Sequence, residues 1–413
     1  MVDYAQNGII GTLHNLRLRS TEDLESELLG YSKQAPMALL LPCLYSELEG
    51  PAMEPILHEL SKIPYLRQVI IGLDQADQQQ FDKARKFFSR LPQEHFILWN
   101  DGPRLTEIDR QLQQLALAPR EAGKGRNVWY GFGFFLASGQ AAAIALHDCD
   151  ILTYSRDIPA RLLYPLVHPA FQYQFCKGYY YRAAEGKLNG RVFRLLVTPL
   201  IRALKDVLGR HDYLDFMGSF RYALAGEFGM QADLVPSLRI PSDWGLEIGT
   251  LSEVYRNCSW NRICQVDIAD AYDHKHQPVS ESDPGRGLHR MANDICKALF
   301  RKLAVEGVVQ SPSLFRTLKA CYYRTALDVI DHYYNEAVMS GLTLDRHQEE
   351  ATVELFSQII ISAGEDFLRN AAEAPFIPSW SRISSAVPDI YLRIADAVRL
   401  DNANGSAAVN PPT

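Results

Sequence analysis

Residues 36–42 read Pro-Met-Ala-Leu-Leu-Leu-Pro, a short apolar run between two prolines. Because the run does not alternate polar with apolar residues, it is typical of a strand buried on both faces of a parallel sheet. Three similar runs follow it, at residues 68–73, 95–99 and 142–147. The segments between the runs have helical spacing, and they span residues 48–63, 77–91, 105–117 and 127–138. This alternation predicts an α/β fold with a mainly parallel, Rossmann-type sheet that is flanked by helices.

The rest of the chain is different in character. Residues 175–181 are aromatic and strand-like, residues 263–268 form another apolar run, and residues 287–399 are nearly all helical in period. A chain of 413 residues can hold a main domain of about 250 residues and an accessory part. We therefore expect a helical lead-in with a helix start at Ser20, a main domain, a helical C-terminal region and a disordered tail. Their bounds are 1–35, 36–286, 287–400 and 401–413.

Composition excludes some classes of protein. The chain has 42 basic and 49 acidic residues, which gives a net charge of −7 and does not favour a nucleic-acid partner. Its seven cysteines are odd in number and form no C-x-x-C pair, so a disulfide framework or a structural zinc site is not expected. A reducing, cytoplasmic environment fits this usage best.

One segment has the length of a membrane span. Residues 128–146 carry almost no charge, but Gly131, Gly133 and Gly139 interrupt them and they lead directly into His147 and Asp148. A buried helix, a turn and a buried strand explain the segment better, so we expect no membrane partner.

Polar residues follow three of the predicted strands. Leu44 to Glu47 follows the first strand, Asp74 the second, and Asp148-Cys149-Asp150 the strand at 142–147. Because ligands of parallel sheets bind beyond the carboxyl ends of the strands, these groups are expected to meet in one crevice.

The D-x-D pair, Asp148 and Asp150, is suited to a nucleotide diphosphate. One carboxylate could hold the ribose, and the other a divalent cation that bridges the phosphates. Gly123-Lys124-Gly125 precedes the apolar helix, where backbone N–H groups and a lysine can approach phosphate. The spacing of a Walker motif is absent. An acidic surface turn and a solvated loop would carry the same letters, so neither motif decides the function alone.

Three further motifs follow in the second half of the domain. His274 and His276 come after the run at 263–268, and either imidazole could complete a metal site with Asp150. Trp244 offers a flat face for a sugar, and Glu247 a carboxylate that could orient an acceptor; a capped helix with a core tryptophan is the alternative.

Gly190 and Arg191 open a predicted helix. An anion such as a carboxylate or a phosphate could dock there, and a solvated basic helix face is the alternative.

Taken together and in this order, these motifs resemble the glucosyl-3-phosphoglycerate synthases and their mannosylglycerate-forming relatives, which are retaining glycosyltransferases with a GT-A fold. The resemblance runs from about Leu39 to Leu299 and is densest between Asp148 and Pro278. It implies a GT-A-like fold in which residues 36–150 form the nucleotide-sugar half and residues 151–286 the acceptor half.

The resemblance also implies roles for single residues. The residues implied to bind the nucleotide-sugar are Pro42, Leu44, Glu47, Lys124 and Asp148. Asp150 and His274 are implied to bind Mg²⁺ or Mn²⁺. The residues implied to contact the acceptor are Gly190, Arg191, Trp244 and His276. The residues implied to act in catalysis are Lys124, Asp150 and Glu247.

The implied reaction transfers glucose, with retention, from UDP- or GDP-glucose to the 2-hydroxyl of 3-phospho-D-glycerate, a step toward the compatible solute glucosylglycerate. No side chain is an evident nucleophile, which favours a front-face mechanism. The chain departs from the family pattern at Phe193 (a threonine in the family), at His276 (an asparagine) and near Gly218 to Phe220, where Gly-Gly-Glu is expected.

The departures lie on the acceptor side. They leave free D-glycerate as an alternative acceptor, with glucosylglycerate or mannosylglycerate as the product. A catalytically inactive nucleotide-sugar-binding protein is the alternative from another class, and a nucleotidyltransferase is a third. The apolar surface of the C-terminal region predicts a homodimer.

Overall fold

The computed structural model describes residues 6, 8–119, 122–242, 245–270, 272–273, 287–370 and 376–403. It confirms the predicted α/β architecture, because helices flank a central eight-stranded sheet and the last part of the described chain is helical.

The strands are β1 Gly11–Leu13, β2 Met37–Leu44, β3 Leu66–Asp74, β4 Glu94–Trp99, β5 Ala143–Leu146, β6 Phe175–Tyr179, β7 Ala183–Ala184, β8 Lys187–Leu188, β9 Phe228–Gln231 and β10 Ile263–Asp267. The central sheet has the order β1-β10-β6-β9-β5-β2-β3-β4, and β7 and β8 form a separate hairpin. Within the central sheet only β9 is antiparallel to its neighbours β5 and β6. The mainly parallel sheet predicted from the apolar runs is therefore confirmed.

The α-helices are α1 Thr21–Tyr31, α2 Tyr45–Leu48, α3 Met53–Leu60, α4 Gln78–Phe88, α5 Pro103–Gln114, α6 Lys124–Ser138, α7 Asp157–Val167, α8 Thr198–Leu208, α9 Asp212–Ser219, α10 Leu246–Asn257, α11 Gly287–Val305, α12 Pro312–Met339, α13 Arg346–Arg369, α14 Trp380–Ala386 and α15 Ile390–Ala403. A π-helical segment, Val192–Val197, precedes α8. Within the described part of the chain, no helix is both long and apolar enough to cross a membrane. The charge-free stretch at 128–146 is divided between α6 and β5, as predicted.

The register of the sheet brings the predicted site together. β2 is buried from Met37 to Leu41, and its last residue, Leu44, lies opposite Asp74, the last residue of β3. β5 lies on the other side of β2 and is parallel to it, so Asp148 and Asp150 leave the sheet at the same edge. The strands of the predicted nucleotide-sugar half are neighbours in the sheet, and the domain boundaries themselves stay a prediction.

Elements β1, β9 and α15 differ from the sequence-based prediction, and α7 and the β7–β8 hairpin were not predicted. The lead-in contains an edge strand, β1, before helix α1, which starts after a capping box at Ser20 as predicted. β1 has only three residues, too few for a periodic pattern, and its Thr12 accepts a hydrogen bond from Gln265 of β10. Strand β9 was not predicted, because Phe-Gly-Met-Gln shows no alternation. Helix α15 continues to Ala403, whereas the predicted tail begins at 401; the rest of that tail lies outside the described residues.

Helix α15 covers the free edge of the sheet at β4. The side-chain amide of Asn402 accepts a hydrogen bond from Ile97 N at 3.1 Å and donates one to Ile97 O at 2.9 Å. The amide thus pairs with β4 as a neighbouring strand would.

Candidate functional site

The first turn of α6 places a lysine over the carboxyl edge of the sheet. Gly123 enters the helix with φ +154°, a conformation that favours glycine. A Cβ on Gly125 would lie 2.2 Å from the carbonyl oxygen of Pro241, so this turn packs directly on another backbone segment. Lys124 Nζ then lies 2.7 Å from Asp148 Oδ1 and 3.2 Å from Glu247 Oε1. The structure therefore joins three predicted site residues that are far apart in sequence.

The charge on Lys124 is fixed by its partners. Burial alone lowers the pKa of the Lys124 ammonium, but the carboxylates of Asp148 and Glu247 raise it well above its usual value. The side chain still keeps 35% of its surface exposed. A permanent cation thus faces the crevice in which a phosphate could bind.

Asp150 lies among other carboxylates. Burial and the charge of Asp148 raise the pKa of the Asp150 carboxyl to about 7, against the opposing effect of Lys124. Glu47, in the short helix α2 that follows β2, adds to the same increase, so this predicted nucleotide-binding residue also lies close to Asp150. A divalent cation would relieve this repulsion, and carboxylate oxygens are the ligands that Mg²⁺ and Mn²⁺ prefer.

The second predicted metal ligand, His274, lies outside the described residues, as do Trp244 and His276. The chain that leads to His274 is nevertheless held beside Asp150. Leu152 N donates a hydrogen bond to Asp273 O at 2.8 Å, and Asp273 N donates one to Thr153 Oγ1 at 3.0 Å. Among the described side chains alone, no group of three histidine, cysteine or acidic residues could hold a metal ion. The metal assignment stays a prediction.

On the nucleotide side, Pro42 and Leu44 end strand β2. Leu44 is 38% exposed, whereas the residues from Met37 to Leu41 are fully buried. Asp74, at the matching end of β3, accepts a hydrogen bond from Asn100 Nδ2 at 2.7 Å, and burial raises the pKa of its carboxyl. These strand ends lie side by side at the carboxyl edge of the sheet, where the base and ribose are predicted to bind.

Glu227 is a site residue that the sequence analysis missed. Its carboxylate is completely buried and accepts hydrogen bonds from Tyr180 Oη at 2.8 Å and from Tyr272 Oη at 2.5 Å. Burial raises the pKa of this carboxyl, and the charge of Asp148 adds to the effect. The sequence here reads Ala225-Gly226-Glu227, which differs by one residue from the Gly-Gly-Glu that the resemblance implies near Gly218 to Phe220.

Gly226 allows the site to close. A Cβ on this residue would lie 2.4 Å from Asp148 Oδ2 and 3.0 Å from Lys124 Nζ. Any larger residue would therefore push apart the ion pair between the lysine and the D-x-D motif.

Lys177 is a second missed residue. It is buried in β6 and donates a hydrogen bond to Ala225 O. Burial lowers the pKa of its ammonium to about 8, against the attraction of Glu247 and Glu227. This buried cation offsets part of the negative charge of Glu227 and Glu247. A lone lysine in an otherwise apolar strand is the sequence signal that could have identified it.

We expect Tyr272→Phe to destabilise the protein by about 1–3 kcal/mol, because Glu227 loses a hydrogen bond in a site that water does not reach. Urea unfolding followed by circular dichroism measures the difference. Tyr323→Phe is the matched control, because Tyr323 lies on α12 without a side-chain hydrogen bond among the described residues. Equal stability of both variants would contradict an anchoring role for Glu227.

The acceptor side is arranged as a second group. Gly190 adopts φ +79°, and Arg191 Nη2 donates a hydrogen bond to Gln348 Oε1 at 2.6 Å. Phe193 packs against Tyr222 with ring centroids 5.0 Å apart, and Tyr222 Oη accepts a hydrogen bond from Arg182. Tyr222 also contacts Tyr180, the partner of Glu227. Gly190 and Arg191 are thus connected to the lysine site through a layer of aromatic residues, and their acceptor role stays a prediction.

Comparison with known proteins identifies close relatives. No protein-family model matches the sequence. The chain is 46% identical over 404 residues to a glucosyl-3-phosphoglycerate synthase of Persephonella marina. The alignment covers 98% of this chain and 100% of that protein. It is 38% identical over 398 residues to the enzyme of the same name from Methanococcoides burtonii, covering 95% of this chain and 96% of that protein.

Solved structures share the fold. Glucosyl-3-phosphoglycerate synthase of Mycobacterium tuberculosis, in complex with Mn²⁺, UDP and glucosyl-3-phosphoglycerate, superposes with a TM-score of 0.51 at 20% identity, over 73% of this chain and 89% of that one. Mannosyl-3-phosphoglycerate synthase of Rubrobacter xylanophilus superposes with a TM-score of 0.53 at 19% identity, over 73% and 83%. At such identities the superposition establishes the architecture alone.

Proposed function

The chain belongs to the glucosyl-3-phosphoglycerate synthase family, and from this premise we propose how its own residues carry out the reaction. It is a hexosyltransferase that moves glucose from an NDP-glucose to 3-phosphoglycerate. We propose that it uses a divalent cation, since the Mycobacterium tuberculosis enzyme is in complex with Mn²⁺. We propose that UDP- or GDP-glucose is the donor and that the 2-hydroxyl of the acceptor is glucosylated with retention.

One observation carries the assignment of residues. Lys124 Nζ lies within 3.2 Å of both Asp148 and Glu247, at the edge of the sheet where nucleotides bind. A donor phosphate that approaches Lys124 is therefore brought next to Glu247, the predicted acceptor-orienting carboxylate. Asp148, expected from the sequence to bind the donor, and Glu247, expected to orient the acceptor, thus contact the same ammonium group.

Asp150 and His274 are proposed to hold Mg²⁺ or Mn²⁺. The raised pKa of Asp150 among Asp148, Glu47 and Glu227 supports a cation at this point. When bound, the cation neutralises negative charge on the departing nucleotide diphosphate.

The protein side chains bind and orient the two substrates. Pro42, Leu44, Glu47 and Asp148 line the nucleotide side, and Lys124 stabilises the phosphate charge. Glu247 holds the acceptor hydroxyl, and Gly190, Arg191, Trp244 and His276 are proposed to bind the rest of the acceptor. We propose that no side chain attacks the sugar, and that the leaving phosphate oxygen takes the acceptor proton on the same face of the sugar.

An activity matrix with metal depletion tests the function. We expect turnover with UDP- or GDP-glucose and 3-phosphoglycerate, a loss of at least about a hundredfold after metal removal, and recovery with Mn²⁺ or Mg²⁺. GDP-mannose and free D-glycerate complete the matrix, because Phe193 offers no hydroxyl to an acceptor phosphate. A preference for free glycerate would overturn the acceptor assignment, and full activity in EDTA would overturn the metal assignment.

We also propose a homodimer in a reducing, cytoplasmic environment. Val338 and Met339, at the end of α12, expose 61% and 89% of their surface, and the seven cysteines, all of them described, form no disulfide. Light scattering gives the molar mass in solution, and the mass of a single 46.6 kDa chain would contradict the dimer.

A further inference from the structure

The C-terminal helices hold the segment that leads to the proposed acceptor site. Thr343, between α12 and α13, donates hydrogen bonds to Gly186 O from its backbone N at 2.7 Å and from Oγ1 at 3.1 Å. Gly186 is the turn of the β7–β8 hairpin, and Thr343 also forms a parallel bridge with Lys187. The hairpin therefore gains a third strand-like partner from a distant part of the chain.

A buried ion pair fixes the other end of this segment. Arg194 Nη1 lies 2.7 Å from Glu349 Oε2, and Arg194 Nη2 lies 3.1 Å from Glu349 Oε1. Both side chains are at least 95% buried. Arg194 also donates to the carbonyl oxygens of Asn189 and Leu188. The first turn of α13 is thus locked to the backbone directly before Gly190.

Arg191 is held more loosely by the same turn. Its Nη2 donates to Gln348 Oε1 at 2.6 Å, its Nε lies 3.4 Å from Glu349 Oε1, and its side chain keeps 27% of its surface exposed. Asp345 caps α13 by accepting a hydrogen bond from Gln348 N at 3.1 Å, which places Gln348 beside the arginine.

The charges of Arg191, Arg194 and Glu349 do not balance. One carboxylate, Glu349, serves two guanidinium groups, and its bidentate pairing is with Arg194. The amide of Gln348 orients Arg191 without neutralising it. An oriented arginine with a remaining positive charge is suited to the phosphate or carboxylate of an acceptor.

We propose that the first turn of α13 is a clamp that positions Arg191 for the anionic group of the acceptor, with Gln348 setting the direction of the guanidinium. Gln348 is a positioning residue in this account, and the C-terminal helical region becomes part of acceptor recognition. The inference rests on the proposed function, because it takes Arg191 as an acceptor-binding residue.

Steady-state kinetics of Gln348→Ala tests the clamp. We expect the KM for 3-phosphoglycerate to rise about tenfold, since an acceptor contact through a charged group is weakened. The kcat and the KM for the sugar donor should change less than about twofold, because the side chain of Gln348 bonds to Arg191 and not to Lys124 or Asp150. Gln358→Ala is the matched control, an exposed glutamine on the same helix for which the described residues provide no hydrogen bond.

A double-mutant cycle with Arg191→Ala distinguishes a failure of the clamp from a failure of the acceptor assignment. The clamp requires that Gln348→Ala has no further effect on acceptor KM once Arg191 is gone. If Arg191→Ala raises the acceptor KM but Gln348→Ala alone does not, the clamp is overturned and the acceptor assignment stands. If Arg191→Ala leaves the acceptor KM unchanged, both are overturned, and turnover in the activity matrix still tests the reaction itself.

Discussion

Asp150→Asn is expected to lower kcat/KM about a thousandfold and to abolish tight Mn²⁺ binding. Asparagine keeps the size of the side chain but removes the negative charge that a hard divalent cation needs. A bound cation contributes several kcal/mol to the stabilisation of a leaving diphosphate, and each 1.4 kcal/mol is about a tenfold change in rate. Burial and the charge of Asp148 raise the pKa of this carboxyl to about 7, against the opposing effect of Lys124.

Two measurements check this expectation. Initial rates at saturating metal give the loss of turnover, and titration of Mn²⁺ followed by electron paramagnetic resonance gives the loss of binding without reference to activity. Asp328→Asn is the matched control, because Asp328 is half exposed on α12 and pairs only with Arg324 among the described residues. Wild-type Mn²⁺ affinity in Asp150→Asn would remove this residue from the metal site.

Lys124→Ala is expected to lower kcat by about a hundredfold or more, because a fixed cation that faces developing phosphate charge contributes on this scale. The substitution also leaves Asp148 and Glu247 without the ammonium group that lies 2.7 Å and 3.2 Å from them. Donor binding should weaken as well, since two carboxylates would then face the incoming phosphates.

Lys83→Ala, at an exposed position on α4, is the control for removal of a lysine, and Lys124→Arg separates charge from shape. We expect the arginine variant to recover only part of the activity. The space beside Lys124 Nζ is limited by Gly226, where even a Cβ would come within 3.0 Å. A kcat within a fewfold of wild type in Lys124→Ala would exclude a role for the ammonium in the chemical step.

Local patterns were sufficient for the parts of the fold and the site that depend on short stretches of chain. The apolar runs identified the parallel strands, and the polar residues after them identified the crevice, because the carboxyl ends of parallel strands lie at one edge. The D-x-D pair and Gly-Lys-Gly are also short motifs that can be recognised without knowledge of distant contacts. The structure brings Lys124 and Asp148 of these motifs into an ion pair.

Long-range pairing explains what the sequence analysis missed. Glu227 becomes a site residue only through the hydroxyls of Tyr180 and Tyr272, which are 47 and 45 residues away. Arg194 pairs with Glu349, which is 155 residues away in α13. No local sequence pattern therefore indicated that the C-terminal helices contact this segment. Strand β1 is defined by β10 and not by its own three residues.

The pairing of Asn402 with the backbone of β4 has a consequence for synthesis of the protein. The edge of β4 is exposed as soon as the sheet begins to form, and the residue that covers it follows Ile97 by 305 positions. At translation rates of about 5–20 residues per second, the edge waits about 15–60 s for its partner. An uncovered strand edge is a template for association with other chains. A polypeptide released before α15 is made would therefore tend to self-associate through the β4 edge. This would happen even though every residue of the lysine and D-x-D site is already present.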